Sequence, residues 1–179
     1  LIRVNLSNVN LANTQLTNAK LIATDLGNTT LTNVNLSGAA LTNVNLSGAT
    51  LSVVNLANAT LTGVNLSDTT LTEVNLANAT LTGVNLSDTT LTEVNLSDTT
   101  LTEVNLTNAN LPRANLTNAN LVDVCLFKAN MFNADMTGAK LSGVNLFYTD
   151  LTEANLIDAY LLKVYMFNTN LTGAKLPNT

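Results

Sequence analysis

The chain has 179 residues, 46% hydrophobic but only 4% aromatic, with no Trp, no His and a formal net charge of −5. A length suited to one ordinary domain is therefore built on an aliphatic core, and the acidic balance argues against a general nucleic-acid-binding role. A single Cys excludes an internal disulfide and leaves the redox compartment open; residues 1–179 show no recognisable signal peptide and no apolar run long enough to span a membrane.

The pattern begins at the first residue. Leu recurs at 1, 6, 11, 16 and every fifth position to 176; 33 of these 36 positions are Leu and the others are Met131, Met136 and Met166. Entry into the repeat at Leu1, without an initiator Met, suggests a piece processed or excised from a longer chain. A period of five fits no single regular element. On an α-helix each step advances about 140° and scatters the Leu around the axis. On a straight strand, odd spacing sends them to alternate faces. All of them face one core only if the chain turns a corner every five residues, and four corners close a square coil.

The remaining positions agree. Two residues before each centre, at 4, 9, 14 and onward, every residue is Ala, Val or Thr. This reads as a second inward site beside a corner, where an inward Thr hydroxyl needs a backbone partner. Two residues after the centre the chain favours Asn, Gly and Asp, with seven of the eight glycines. Those residues tolerate the positive φ at the third position of a type II turn. Both prolines, Pro112 and Pro177, fall one residue after a centre, the turn position that favours Pro. Val53 and Tyr148 suit the third position poorly, so a different turn type is expected there.

Stretches such as "VNLSGATL" (44–51), "ANLTNANL" (114–121) and "ANLIDAYL" (154–161) resemble the A(D/N)Lxx motif of pentapeptide repeat proteins. The match spans essentially the whole chain. The resemblance implies an all-β fold: a right-handed quadrilateral parallel β-helix with four pentapeptides per coil and no substantial α-helix. Right-handed crossovers are also the general preference. Residues 1–179 then form a single domain of about nine coils. At about 4.8 Å per parallel rung the rod is roughly 43 Å long. A lone coil cannot persist, because burying a Leu stabilises by about 1.5–3 kcal/mol while ordering five residues costs about 5–10 kcal/mol.

Residues twenty apart stack, so each face reads as columns. Asn precedes the centre on two faces, at 45, 65, 85, 105 and 145 and at 35, 55, 75, 95, 115 and 155; Thr does so on the other two, at 30, 50, 70 and 90 and at 60, 80 and 100. Asn and Thr ladders are both expected to hydrogen-bond along the axis and stabilise the rungs. The paired outward Thr of the repeated "TLT" also resemble the arrays of ice-binding β-helices, a remote alternative. In the middle, residues 61–80 and 81–100 differ at only three positions. Recent duplication of a coil explains that surface as well as any ligand does.

Between Lys20 and Arg113 there is no basic residue, but there are seven acids, including the candidate acidic surface Asp68, Glu73, Asp88, Glu93, Asp98 and Glu103. Some pentapeptide repeat proteins resemble duplex DNA and inhibit DNA gyrase. B-DNA, however, carries one charge per about 1.7 Å, a density that seven acids on four corners do not match. Gyrase inhibitors of the family also typically use Phe as well as Leu at the centre, and no Phe is central here.

All seven aromatics lie between 127 and 167. Phe127, Phe147 and Phe167 share one outward column, Tyr148 and Tyr165 lie on the same side, and Phe132, Ile157, Tyr160 and Leu162 point outward elsewhere. Clustered exposed apolar groups mark interfaces, so the five clustered aromatics are the candidate interaction residues.

With no His and one Cys there is no triad, dyad or zinc cluster, and neither catalysis nor a cofactor is expected. Cys125 replaces an outward Asn. The reading is a non-catalytic structural or protein-interaction scaffold with a protein partner or a second copy, and no membrane insertion by this segment. The alternatives are a gyrase-inhibiting DNA mimic and the soluble domain of a membrane protein involved in heterocyst glycolipid localisation. A cyanobacterial source implies the cytoplasm, thylakoid lumen or periplasm.

Overall fold

The computed structural model describes residues 1–177. Its ordered elements are eight three-residue strands: β1 (Lys20–Ile22), β2 (Thr30–Thr32), β3 (Ala40–Thr42), β4 (Thr50–Ser52), β5 (Thr60–Thr62), β6 (Thr70–Thr72), β7 (Thr80–Thr82) and β8 (Thr100–Thr102). One parallel sheet runs β1-β3-β5-β7-β8 and a second runs β2-β4-β6. Two further faces are held by single parallel bridges, from Asn5 through Asp25 and Asn45 onward and from Gln15 through Asn35 and Asn55 onward. Every pairing joins residues twenty apart, as in Leu41 with Leu61. The chain is an all-β parallel solenoid with four faces, and 179 residues at twenty per coil make nearly nine coils.

One unit shows how the sequence closes each coil. In the pentapeptide centred on Leu56 all five backbone N–H groups are paired. Asn55 donates to the Val34 carbonyl at 3.0 Å, Leu56 to Asn75 at 2.7 Å and Asn58 to Ala77 at 3.0 Å, so three bonds reach neighbouring coils. Ala59 donates to the Leu56 carbonyl at 3.1 Å and closes the corner. The fifth, on Ala57, donates to the side-chain Oδ1 of Asn55 at 3.1 Å. Buried backbone polar groups must be paired, and this unit does so without water.

The Asn before the centre therefore does two jobs. Its Oδ1 satisfies the N–H two residues on, and its Nδ2 donates to the Asn of the preceding coil. Asn75 donates to Asn55 at 3.4 Å, and Asn95 to Asn75 at 3.2 Å. The opposite face has its own chain from Asn105 to Asn85 to Asn65 to Asn45. Thr cannot reach in the same way. Among the described residues the Thr60–Thr80–Thr100 column is paired through backbone alone. The expected axial hydrogen bonding is thus present in the Asn ladders and absent from the Thr ladders. The difference shows in the backbone: three-residue strands occur where Thr, Ala or Lys precedes the centre, and β8 is the last of them. From residue 110 Asn and Asp largely replace Thr, and single bridges replace strands. Lys140 and Tyr160 form a single bridge without an Asx side chain, which this rule does not explain.

The core is continuous from Leu21 to Ala159, with most central residues 0–1% exposed. Inward Thr hydroxyls find the backbone partners they need: Thr69 donates to the Leu66 carbonyl at 2.6 Å, Thr89 to Leu86 at 2.6 Å and Thr149 to Leu126 at 2.7 Å. Among the described residues no buried side-chain nitrogen or oxygen lacks a partner.

Positive φ occurs two residues after every centre described, from Arg3 to Gly173. The exception expected at Val53 and Tyr148 is corrected. Val53 adopts φ 55° and Tyr148 φ 59°, like their neighbours. Each is clamped by its own inter-coil bond, Val53 N–H to Thr72 and Tyr148 N–H to Phe167, both 3.0 Å. The left-handed conformation costs a non-Gly residue about 1–2 kcal/mol, less than the clamp and the stacked core around it supply. Val53→Asn is accordingly expected to raise the unfolding free energy by about 1 kcal/mol, checked by urea denaturation. In the same column Asn33 already adopts φ 55° and donates to Asn13 at 3.3 Å.

Candidate interaction surface

The face centred on Leu126, Leu146 and Met166 carries the cluster. Leu126 and Leu146 are fully buried, so the residues on either side alternate outward. The bridges Cys125–Asn145 and Asn145–Tyr165 hold the three rungs in register. This stacks Phe127, Phe147 and Phe167 in one column, with the corner residues Lys128, Tyr148 and Asn168 beside them.

The five candidate aromatics form one network. Phe127 meets Tyr148 with ring centroids 5.9 Å apart and planes at 85°, and Tyr148 meets Phe167 at 5.9 Å and 84°. Phe167 meets Phe147 at 6.0 Å and 73°, and Phe147 meets Tyr165 at 6.3 Å and 85°. Each ring offers its positive edge to the negative face of the next, the favoured arrangement for aromatic pairs. Packing does not hide them: Tyr148 remains 49% exposed, Tyr165 56% and Phe167 60%. Phe127 and Phe147 are half-buried within the network. Lys128 places its Nζ 5.1 Å from the centroid of Phe127, a cation–π contact. Lys128 was not among the sequence candidates; its position next to Phe127 on the corner was the available signal. Exposed Phe132, Ile157, Tyr160 and Leu162 sit on the other faces.

The acidic candidates are not brought together. Asp68 and Asp88 stack on one corner and Glu73 and Glu93 on the next, while Asp98 and Glu103 occupy the other two. Several are answered by the coil that follows. Arg113 pairs with Glu93 at 3.0 Å, with both side chains half exposed or more. Asn108 donates to Asp88 at 3.0 Å and Asn118 to Asp98 at 3.3 Å. Among the described residues no face carries a double row of charge like that of duplex DNA.

Cys125 interrupts the Asn ladder between Asn105 and Asn145. Its Sγ lies 3.4 Å from the Thr107 hydroxyl, and the side chain is half-buried. Among the described residues no group of His, Cys, Asp or Glu has the arrangement of a metal site. No helix there is long and apolar enough to cross a membrane.

A family model described as pentapeptide repeats matches the chain in eight copies, over residues 1–38, 35–72, 71–108, 95–131, 128–146 and 145–179. Among solved structures the chain is similar to HetL, a pentapeptide repeat protein involved in heterocyst differentiation regulation from the cyanobacterium Nostoc. The identity is 30%, over 99% of this chain and 91% of that one, with a TM-score of 0.51. It is also similar to full-length QnrB1, a plasmid-mediated fluoroquinolone resistance protein, at 15% identity over 97% of this chain and 94% of that one, with a TM-score of 0.70. The second likeness is one of fold alone. No curated protein matches the chain.

Proposed function

The chain belongs to the pentapeptide repeat family, and from that premise we propose that it is a non-catalytic binding scaffold whose working surface is the aromatic face of coils 121–168. The observation that carries this reading is the edge-to-face network itself. Five rings from three coils hold one another in place, three of them about half exposed or more. Ordering such rings on binding costs little further side-chain entropy, and aromatic anchors dominate the energy of protein contacts. A regulatory setting is supported by the similarity to HetL, at 30% identity along nearly the full length.

Phe147 is central to the network, touching both Tyr165 and Phe167. Phe147→Glu is expected to abolish association, seen as loss of self-association in sedimentation velocity or loss of captured protein from a lysate. The substitution faces solvent and leaves the core untouched, so far-ultraviolet circular dichroism should not change. Unchanged self-association together with unchanged capture would refute the assignment. The DNA-mimic reading is less well supported, because the acids occupy four corners and Arg113, Asn108 and Asn118 engage three of them.

A further inference from the structure

Resting on that reading of the aromatic face, we propose that its partner is a second copy of this chain, docked antiparallel along the same face with the two-fold axis at the rung of Thr107 and Asn108. Three features converge on this arrangement.

The first is charge. The corner beside the face reads, in stacking order, Asp68, Asp88, Asn108, Lys128 and Tyr148. In an antiparallel pair with an in-plane two-fold axis each column faces its own copy with the rungs reversed. An axis at Asn108 sets Lys128 against Asp88 of the second copy, twice. It also sets the Tyr148 hydroxyl against Asp68, twice. This corner is therefore self-complementary about that rung, as an isologous contact requires, while the other edge of the face sets Glu103 against its own copy. Among the described residues of the single chain Asp88 accepts only the neutral Asn108 amide and Lys128 rests over Phe127, so the two opposite charges are left for each other.

The second is what the aromatic rungs would cover. The same operation lays Phe127 on Ser87 and Phe147 on Ser67 of the other copy. Those rungs belong to the Asn ladder, whose side-chain oxygens and one N–H of each amide are already engaged. Asn65 donates to Asn45, accepts from Asn85 and accepts the Ser67 N–H. Asn85 likewise accepts from Asn105 and from the Ser87 N–H. Covering a polar surface is costly when it strands hydrogen-bonding groups. This ladder keeps these bonds when a ring closes over it, and the Ser67 and Ser87 hydroxyls are the groups the rings desolvate.

The third is extent. An axis centred on the aromatic cluster would overlap only the last rungs and leave Lys128 opposite Asn168. An axis at Thr107 overlaps the rungs from Gly48 to Asn168, a strip about 29 Å long. One face of that length buries less than the roughly 800 Å² each partner gives to a standard interface. The dimer is accordingly a weak, reversible one, formed at micromolar or higher concentration.

The experiment is charge reversal with rescue in the full 179-residue chain, read by sedimentation velocity across a concentration series. Wild type is expected to self-associate. K128E and D88K alone should each raise the dissociation constant by about tenfold or more, because like charges then meet at both symmetry-related contacts. K128E/D88K together should restore it to near the wild-type value. Both exchanges suit this turn position, which on other corners already holds Glu at 73 and 93 and Lys at 163 with positive φ. Failure of the double variant to recover overturns the proposal. A chain that stays monomeric while Phe147→Glu still loses a captured protein overturns it too, and leaves the aromatic scaffold reading standing with another occupant.

Discussion

Leu96→Ala is expected to lower the unfolding free energy by about 2–5 kcal/mol, the cost of truncating a fully buried core side chain. Leu96 is fully buried, as are Leu76 below it and Leu116 above it. No aromatic side chain enters the central positions, so nothing bulky stands ready to fill the space. The coils are also tied on both sides by ladder bonds, Leu96 N–H to Asn115 at 2.7 Å among them, which prevents collapse into the cavity. In a solenoid each coil contacts only its neighbours, so the cost is local and depends on position. The same truncation at Leu11, which is half-buried at the first coil, should cost clearly less. Urea denaturation of the two variants, followed by circular dichroism, measures the contrast; equal losses would mean that the core is not packed as a stack.

Asn75→Ala is the second, expected to cost about 2–4 kcal/mol, from three hydrogen bonds at roughly 0.5–1.5 kcal/mol each. Asn75 accepts the Ala77 N–H at 3.0 Å, accepts the Asn95 amide at 3.2 Å and donates to Asn55 at 3.4 Å. Truncation takes this partner from the Ala77 N–H and the Asn95 amide on a half-buried face, while Asn55 Oδ1 keeps the Ala57 N–H. Asn75→Asp should cost less, since the ladder already accommodates carboxylates where Asn45 donates to Asp25 at 2.9 Å and Asn155 to Asp135 at 3.3 Å. By contrast Thr80→Ala, in the parallel Thr column held by backbone pairing, should change stability by less than about 0.5 kcal/mol. Denaturation midpoints for the three variants test the ranking.

That contrast also marks where the sequence was legible and where it was not. The spacing of Leu dictates the corner count, the coil length and the inward sites, because only one geometry sends every fifth residue to one core. Asn and Thr columns were equally regular on paper. What separates them is reach: an amide spans both to the N–H two residues on and to the next rung, and a hydroxyl on a β-branched stem does not. Val53 and Tyr148 were misjudged for a related reason. Turn preference describes an isolated corner, whereas here each corner is bonded to the next coil. At the surface, the twenty-residue spacing of Phe127, Phe147 and Phe167 revealed one column. The ring-to-ring pairing with Tyr148 and Tyr165 depends on side-chain torsions that no spacing encodes. Lys128 joined the cluster through its place on the corner, which charge counting over whole segments obscured.

The register of twenty has a consequence for how such a chain can change. Every inward site is Leu, Met or a small residue whichever face it serves, so losing or gaining one pentapeptide leaves the core able to close. The outer columns do not survive the same edit. Removing five residues ahead of 121 would turn everything downstream by a quarter, carrying Phe127, Phe147 and Phe167 onto a neighbouring side and away from the Asn ladder beneath them. Only edits of a whole lap keep surface and core aligned, and the near-identical 61–80 and 81–100 differ by one such lap. Folding thus tolerates steps of five while recognition tolerates only steps of twenty, so length variants that fold equally well are expected to fall into four classes of surface.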